Sequence, residues 1–277
     1  MGLFGRKQRA APPLVDLAHR VLAERGVETS VEGDPADPAT VRLVAQDGQV
    51  YLLENLAAQL RGETPDRQIA IAEEHFDRML LAQREPAAEA LSADDLRDRI
   101  RVRLLADDSA DPTDLSYARP FAPGLVLALC LDNPTTVTTL SASTLPKLAL
   151  GVDELFAIGQ LRTDDEPVDD RSEIAPGVHV VEGESLFTAS KAANLPALFG
   201  AAPYGTVFTV PNRHLLIAAP ISGPESLAAV QSLAGVFAQL ISSDPHHPGG
   251  LVSPHLLFSR NGAVSVVSGF DDETAAA

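Results

Sequence analysis

The side chains with the greatest chemical reach in this sequence are its histidines, and four of the seven lie between positions 214 and 255. Asp244-Pro245-His246-His247-Pro248 sets two imidazoles beside a carboxylate, and both groups ligate divalent metals. Adjacent side chains on an extended segment point in opposite directions, however, and no H-E-x-x-H pair occurs. A solvated loop therefore accounts for His246 and His247 better than a metal site does. A second constellation joins Arg213 and His214, at a turn, with Asp132, at the end of an apolar run. If these three converge they form an anion site or an acid/base site; turn tips also collect polar residues simply because they face water. The third candidate is Arg99-Ile100-Arg101-Val102-Arg103-Leu104, whose strict alternation puts Arg99, Arg101 and Arg103 on one face of a strand. Such a face binds an anion or an acidic peptide, or is neutralised by solvent and by acidic loops such as 107–111.

Other catalytic signatures are missing from the sequence. Nothing matches the phosphate-cradling G-x-G-x-x-G or G-x-x-x-x-G-K-[ST], and there is no G-x-S-x-G elbow. Thr188-Ala189-Ser190-Lys191 has the spacing of S-x-x-K, but Thr stands in the nucleophile's place and no S-D-N or K-T-G accompanies it. That segment is expected on a helix surface. Cys130 lies inside the apolar run 124–131, where a thiol serves as a small buried hydrophobe with a raised pKa. No cofactor is expected.

These groups must be positioned by a chain of 277 residues that is 45% apolar and carries a formal charge of −17. One cysteine excludes an intramolecular disulfide framework and points to a reducing compartment, so a cytoplasmic location is expected. A strongly negative charge disfavours nucleic acid, because phosphate contacts are rewarded only by clustered Lys and Arg. The charge is divided unevenly. Residues 1–103 hold 14 basic and 18 acidic side chains, net −4, whereas residues 104–277 hold 7 and 20, net −13. The densest acidic stretch, 164–173, lies in a segment 163–177 read as a solvated loop. It lacks the spacing of a calcium loop.

Arg6, Lys7 and Arg9 imitate the start of a signal peptide, but Pro12, Pro13 and Asp16 interrupt what would be its apolar core. Residues 1–11 are expected to be a disordered basic tail, and residues 271–277 a disordered acidic one. The longest strongly apolar run, Leu125 to Leu131, falls far short of the roughly 20 residues that a membrane helix needs. No integral membrane association is expected.

Periodicity supplies the elements. Leu14, Leu17, Ala18, Val21 and Leu22 recur at helical spacing up to Gly26. Asp47-Gly48 between apolar runs predicts a hairpin, and Thr64-Pro65 a helix start for the stripe Ile69, Ala72, Phe76, Met79. Residues 12–90 thus read as an N-terminal α-β-β-α lobe, with the Ala-, Glu- and Pro-rich stretch 85–95 as its boundary. Beyond it, residues 97–270 read as a second α+β domain. The run 124–131 is expected as a central strand, 185–199 as a helix, and Pro211-Asn212-Arg213 and Asn261-Gly262 as hairpin turns. Ser222-x-x-Glu225 reads as a capping box before the stripe Leu227 to Ile241. The expected fold is α+β, with antiparallel or mixed sheets carrying helices on one face and two lobes.

The stretch Tyr204-Gly205-Thr206-Val207-Phe208-Thr209-Val210-Pro211-Asn212-Arg213-His214-Leu215-Leu216-Ile217 resembles the YtpQ-like family of uncharacterised bacterial proteins, which carry a related glycine, strand, proline turn and strand. The likeness runs from the hairpin near Leu43 through Gly124-Leu125-Val126 to the terminal hairpin near Phe258. His214 stands where members tend to carry an acidic residue. The resemblance implies a cytosolic α+β protein and brings no activity or cofactor.

Two functions follow as expectations. The first is a non-enzymatic binding or adaptor module with a protein partner, a basic one suiting the acidic half. The alternative is a small hydrolase or metal-dependent enzyme using Arg213, His214, His246 and Asp132. Composition names no oligomeric state.

Overall fold

A computed structural model describes residues 13–134, 136–243 and 250–269. The two tails, together with Asp244, His246 and His247, lie outside the described residues. Every strand pairing is antiparallel, and the described residues form an α+β fold with three sheets. The chain divides between Glu85 and Pro86 into two units, each with its own core.

In the first unit, α1 (Leu14–Glu24) turns Leu17, Ala18, Val21 and Leu22 onto one buried face. Strands β1 (Thr29–Glu32), β2 (Arg42–Ala45) and β3 (Val50–Leu52) form a meander, with Gly48 at φ +87° in the tight turn. Then come α2 (Glu54–Leu60) and α3 (Pro65–Ala82). Thr64 precedes α3, but its side chain makes no capping bond, so the preset φ of Pro65 is what favours the start. Leu22, Leu43, Tyr51, Leu56 and Phe76 close a core whose rings meet edge to face at 6.0 Å. The observed order is α-β-β-β-α-α, one strand and one helix more than the α-β-β-α reading.

The second unit begins with α4 (Ala93–Arg99), set by a capping box in which Ser92 and Asp95 bond reciprocally. This helix corrects the sequence reading of Arg99. The residue ends α4 and is not part of the strand, since β4 spans Ile100–Ala106 and presents Arg101 and Arg103 alone. Its partner β6 (Leu125–Asp132) is central, with β5 (Arg119–Ala122) and β7 (Val137–Thr139) sharing its other edge. Helix α5 (Val152–Asp164) packs against β4 so closely that a Cβ at Gly159 would sit 3.1 Å from the Arg101 carbonyl carbon.

A six-stranded sheet has the order β13-β12-β10-β11-β9-β8, made from β8 (Asp170–Ala175), β9 (Val178–Glu182), β10 (Thr206–Asn212), β11 (Leu215–Pro220), β12 (His255–Arg260) and β13 (Ala263–Gly269). Alternation on β10 and β11 explains its burial on both sides. Phe208, Val210, Leu216 and Ala218 enter a core with Leu104, Ala189 and Leu195, whereas Val207, Ile217 and Ala219 face α7 (Leu227–Ser243) through Leu233 and Phe237. The terminal hairpin turns on Asn261 and Gly262, both at positive φ.

Three further expectations change. The acidic stretch is not one loop: α5 runs to Asp164, and Asp170–Ala175 is strand β8. An edge strand paired on one side keeps its charged side chains in water, so low apolar content does not bar it from the sheet. The segment 185–199 is not one helix either. A tight 3-10 segment, Ala189–Asn194, gives way to the short α6 (Leu195–Phe199), where Pro196 fits a first turn but not a helix interior. Before α7, Ser222 Oγ donates to Glu225 at 3.2 Å, but the intervening residues form a 3-10 turn in place of a capping box.

Candidate functional site

The residues singled out in the sequence separate into three groups. Arg101 is saturated. Its Nε donates to Glu166 at 2.7 Å, Asp132 lies 3.5 Å away, and its Nη1 reaches the carbonyls of Asp98 and Ile100. Its counter-charges thus come from Glu166, just beyond α5, and from β6; neither belongs to the 107–111 loop. Burial raises the Asp132 carboxyl above the ordinary range, the Arg101 charge opposes that, and Glu166 adds to it.

Arg213 and His214 form the second group at the β10–β11 turn. His214 Nδ1 lies 3.0 Å from the Gly183 carbonyl, and its Nε2 accepts from Arg213 Nε at 3.1 Å. With Nδ1 as donor, the two bonds fix one tautomer and aim the guanidinium. Asn212 Oδ1 accepts the His214 backbone N–H. Asp132 is engaged by Arg101 and bonds neither Arg213 nor His214, so the three residues do not assemble as an acid/base set. Arg103 approaches Arg213: burial first, then the Arg103 charge, pulls Arg213 below the usual arginine range. Cys130 is fully buried, with Sγ 3.4 Å from Thr139 Oγ1, and burial pushes its thiol up against the opposing influence of Thr139 and of the Arg103 guanidinium. Among the described residues no cluster of three His, Cys, Asp or Glu side chains could hold a metal ion.

The third group is one the sequence reading placed wrongly. Thr188, Ser190 and Lys191 are not helix surface, since all three are buried, Lys191 to 2% exposure. Ser190 Oγ accepts the Leu104 N–H at 2.9 Å, and Lys191 Nζ donates to the Thr163 and Asp164 carbonyls at 3.0 and 2.7 Å. Thr163 Oγ1 accepts from Val102 N–H and donates to Val102 O, each at 3.0 Å. Hydroxyls from both segments therefore close the outer edge of β4, and a cation meets the carbonyl end of α5, where the helix dipole favours it.

Burial lowers the Lys191 pKa, against the opposing charges of Asp164, Glu166 and Asp165. Between the folded value and 10.5 the unfolded chain binds more protons, so this group's contribution to stability rises with pH through that window. The neutral amine still has two N–H groups for its two carbonyls. Unfolding midpoints should show the wild type gaining on Lys191→Met as pH rises toward 10.5; a difference that stays flat or falls would contradict the assignment.

What sequence reasoning did not locate is a groove of about 470 Å³ in the second unit. Phe121 and Leu127 line it from the four-stranded sheet, residues 192–196 form one wall, and Arg260-Asn261-Gly262 and Val264 line it from the terminal hairpin. Asn194 Nδ2 donates to Asp164 at 2.6 Å and ties that wall to the end of α5. Gly205 also lines the groove, at φ +100°, where a Cβ would lie 2.6 Å from both the Phe258 ring and the Ser259 carbonyl oxygen. Among the described residues Arg260 is the only charged one in the lining. The pair of glycines in Gly200-Ala201-Ala202-Pro203-Tyr204-Gly205 was the available sequence signal for close backbone approach.

No helix among the described residues is long and apolar enough to cross a membrane. Compared with known proteins, the chain matches no family model, no curated protein and no solved structure.

Proposed function

We propose that this chain is a non-enzymatic cytoplasmic binding module, an adaptor that holds an extended segment of a protein partner in the groove beside β13. The observation that carries the reading is the coincidence of that groove with an edge strand. Among the described residues strand β13 pairs only with β12, and Val264 on β13 is part of the groove lining. An edge strand offers backbone donors and acceptors to an incoming strand, while side-chain pockets beside it supply selectivity. Mixed lining fits that mode: Phe121, Leu127 and Val264 give apolar contact, and Asn194, Ser259 and Asn261 give hydrogen bonds.

Arg260 as sole charge favours an uncharged or acidic segment in the groove. A basic partner, which the −13 half suggests, would instead meet the opposite edge of the sheet, where Asp170 and Glu173 on β8 are exposed. The fully buried single cysteine supports the cytoplasmic location. Membership of the YtpQ-like family is part of the same proposal, resting on the Tyr204–Ile217 arrangement.

Ala202→Arg fills the groove from a half-buried loop position and is expected to leave stability within about 0.5 kcal/mol of wild type. Affinity isolation of the full chain from its host should recover a partner, and both Ala202→Arg and Arg260→Glu should lose it. Retention of the same partner by both variants, or substrate turnover dependent on Arg213 and His214, would overturn the proposal.

A further inference from the structure

Strand β8 ends the six-stranded sheet on the side opposite β13, and among the described residues it pairs only with β9. Asp170, Arg171, Glu173 and Ile174 on it are exposed, Ile174 to 47%. An open edge is a template for another strand, and its charged side chains decide which strand it accepts.

Arg171 and Glu173 share one face of β8, opposite Val181 and His179 of β9. Each is anchored by an uncharged group. Arg171 Nη2 donates to the Leu198 carbonyl, with the guanidinium carbon 5.7 Å from the centre of the Phe199 ring. Glu173 Oε1 accepts the Gly177 N–H at 2.6 Å. Neither forms an ion pair with a described residue, the other of the two included. Two opposite charges are thus fixed on one face of a free edge, and neither is neutralised.

A strand that pairs with its own copy about a two-fold axis runs antiparallel, and the axis centres on a residue, because a one-residue slip turns the side chains to the other face. Centring on Arg171 or on Glu173 sets that residue against its own copy, like charge to like. Centring on Ser172 sets Arg171 opposite Glu173 of the second copy, and Glu173 opposite Arg171 of that copy. Asp170 then faces Ile174 and Asp169 faces Ala175, so no like charges oppose each other along the ladder.

We propose that the chain associates as a two-fold dimer, joined edge to edge through β8 with the axis at Ser172. The bulge between Glu173 and Ala175 ends the regular ladder. The interface is therefore short, and the dissociation constant is expected on the order of 10 μM. Strand β13 stays free in both copies, so the dimer does not depend on what the groove holds.

The test is sedimentation velocity on the full chain over a range of concentrations at physiological ionic strength, where reversible monomer–dimer exchange is expected. Arg171→Glu and Glu173→Arg each set like charges against each other twice, and each should weaken association by about tenfold or more. Mixed in equal amounts, the two variants place opposite charges at both contacts and should dimerise as the wild type does. Arg260→Glu, in the groove, should also behave as the wild type. A wild type that is monomeric at every concentration, undiminished dimer in both single variants, or no association in the mixture of folded variants would overturn the proposal. A monomer whose β8 amides are protected from exchange only when hexalysine is added would also overturn it, by assigning this edge to a basic segment.

Discussion

Gly205→Ala is expected to lower stability by about 3 kcal/mol, the sum of a left-handed backbone penalty and a displaced neighbour. The glycine sits at φ +100°, and the ideal Cβ falls 2.6 Å from the Ser259 carbonyl oxygen and from the Phe258 ring. Backbone cannot yield as a flexible side chain does, so β10 and β12 would have to part where Thr206 pairs with Ser259. That movement would widen the groove. Gly262→Ala is the internal control, because Gly262 is also at positive φ but nothing lies within 4 Å of its Cβ position. Only the conformational term applies there, about 1 kcal/mol. Urea unfolding should separate the two variants by about 2 kcal/mol; equal losses would mean that the close approach at Gly205 does not exist.

Thr163→Val, nearly the same shape, is expected to cost about 3 kcal/mol. One hydroxyl serves both the N–H and the C=O of Val102, and all three groups are buried. Deleting it leaves two backbone groups of β4 unsatisfied, each at about 1–3 kcal/mol. Thr163→Ser keeps the hydroxyl and should lose about 1 kcal/mol, the value of the missing methyl group. Equal destabilisation by Val and Ser would show that packing, and not closure of the β4 edge, is what Thr163 provides. The backbone carbonyl of the same residue, unchanged in either variant, accepts from Lys191.

Local chemistry explains which parts of this fold were legible from the sequence. Asp47-Gly48 and Asn261-Gly262 specify tight turns because their residues tolerate positive φ, and the structure has those hairpins. The apolar run at 125–131 sits centrally in its sheet because nothing in it could face water. Non-local effects explain the rest. The alternation through Arg99 looked continuous, but Ser92 and Asp95 start a helix seven residues earlier that carries Arg99 away from the strand. Thr188–Lys191 looked polar enough for a surface, yet Thr188 bonds the nearby Ser185 carbonyl, and Ser190 and Lys191 find backbone partners on β4 and at the end of α5. Arg101 and Arg103 alternate along the same strand between aliphatic residues; the arrival of Glu166 and Asp132 makes a structural ion pair of Arg101, and no described carboxylate forms an ion pair with Arg103.

The groove was illegible for the same reason. Its lining comes from β5, β6, the 192–205 segment and the terminal hairpin, with no shared motif among them. Its most direct test is amide hydrogen exchange on the full chain, isolated with its partner bound and again after the partner is removed. Bound partner is predicted to protect residues 263–267 of β13 together with the wall at 192–196, and to leave α1 and α3 unchanged. Protection confined to other elements, or no change at β13, would contradict the proposal that this edge and groove receive the partner.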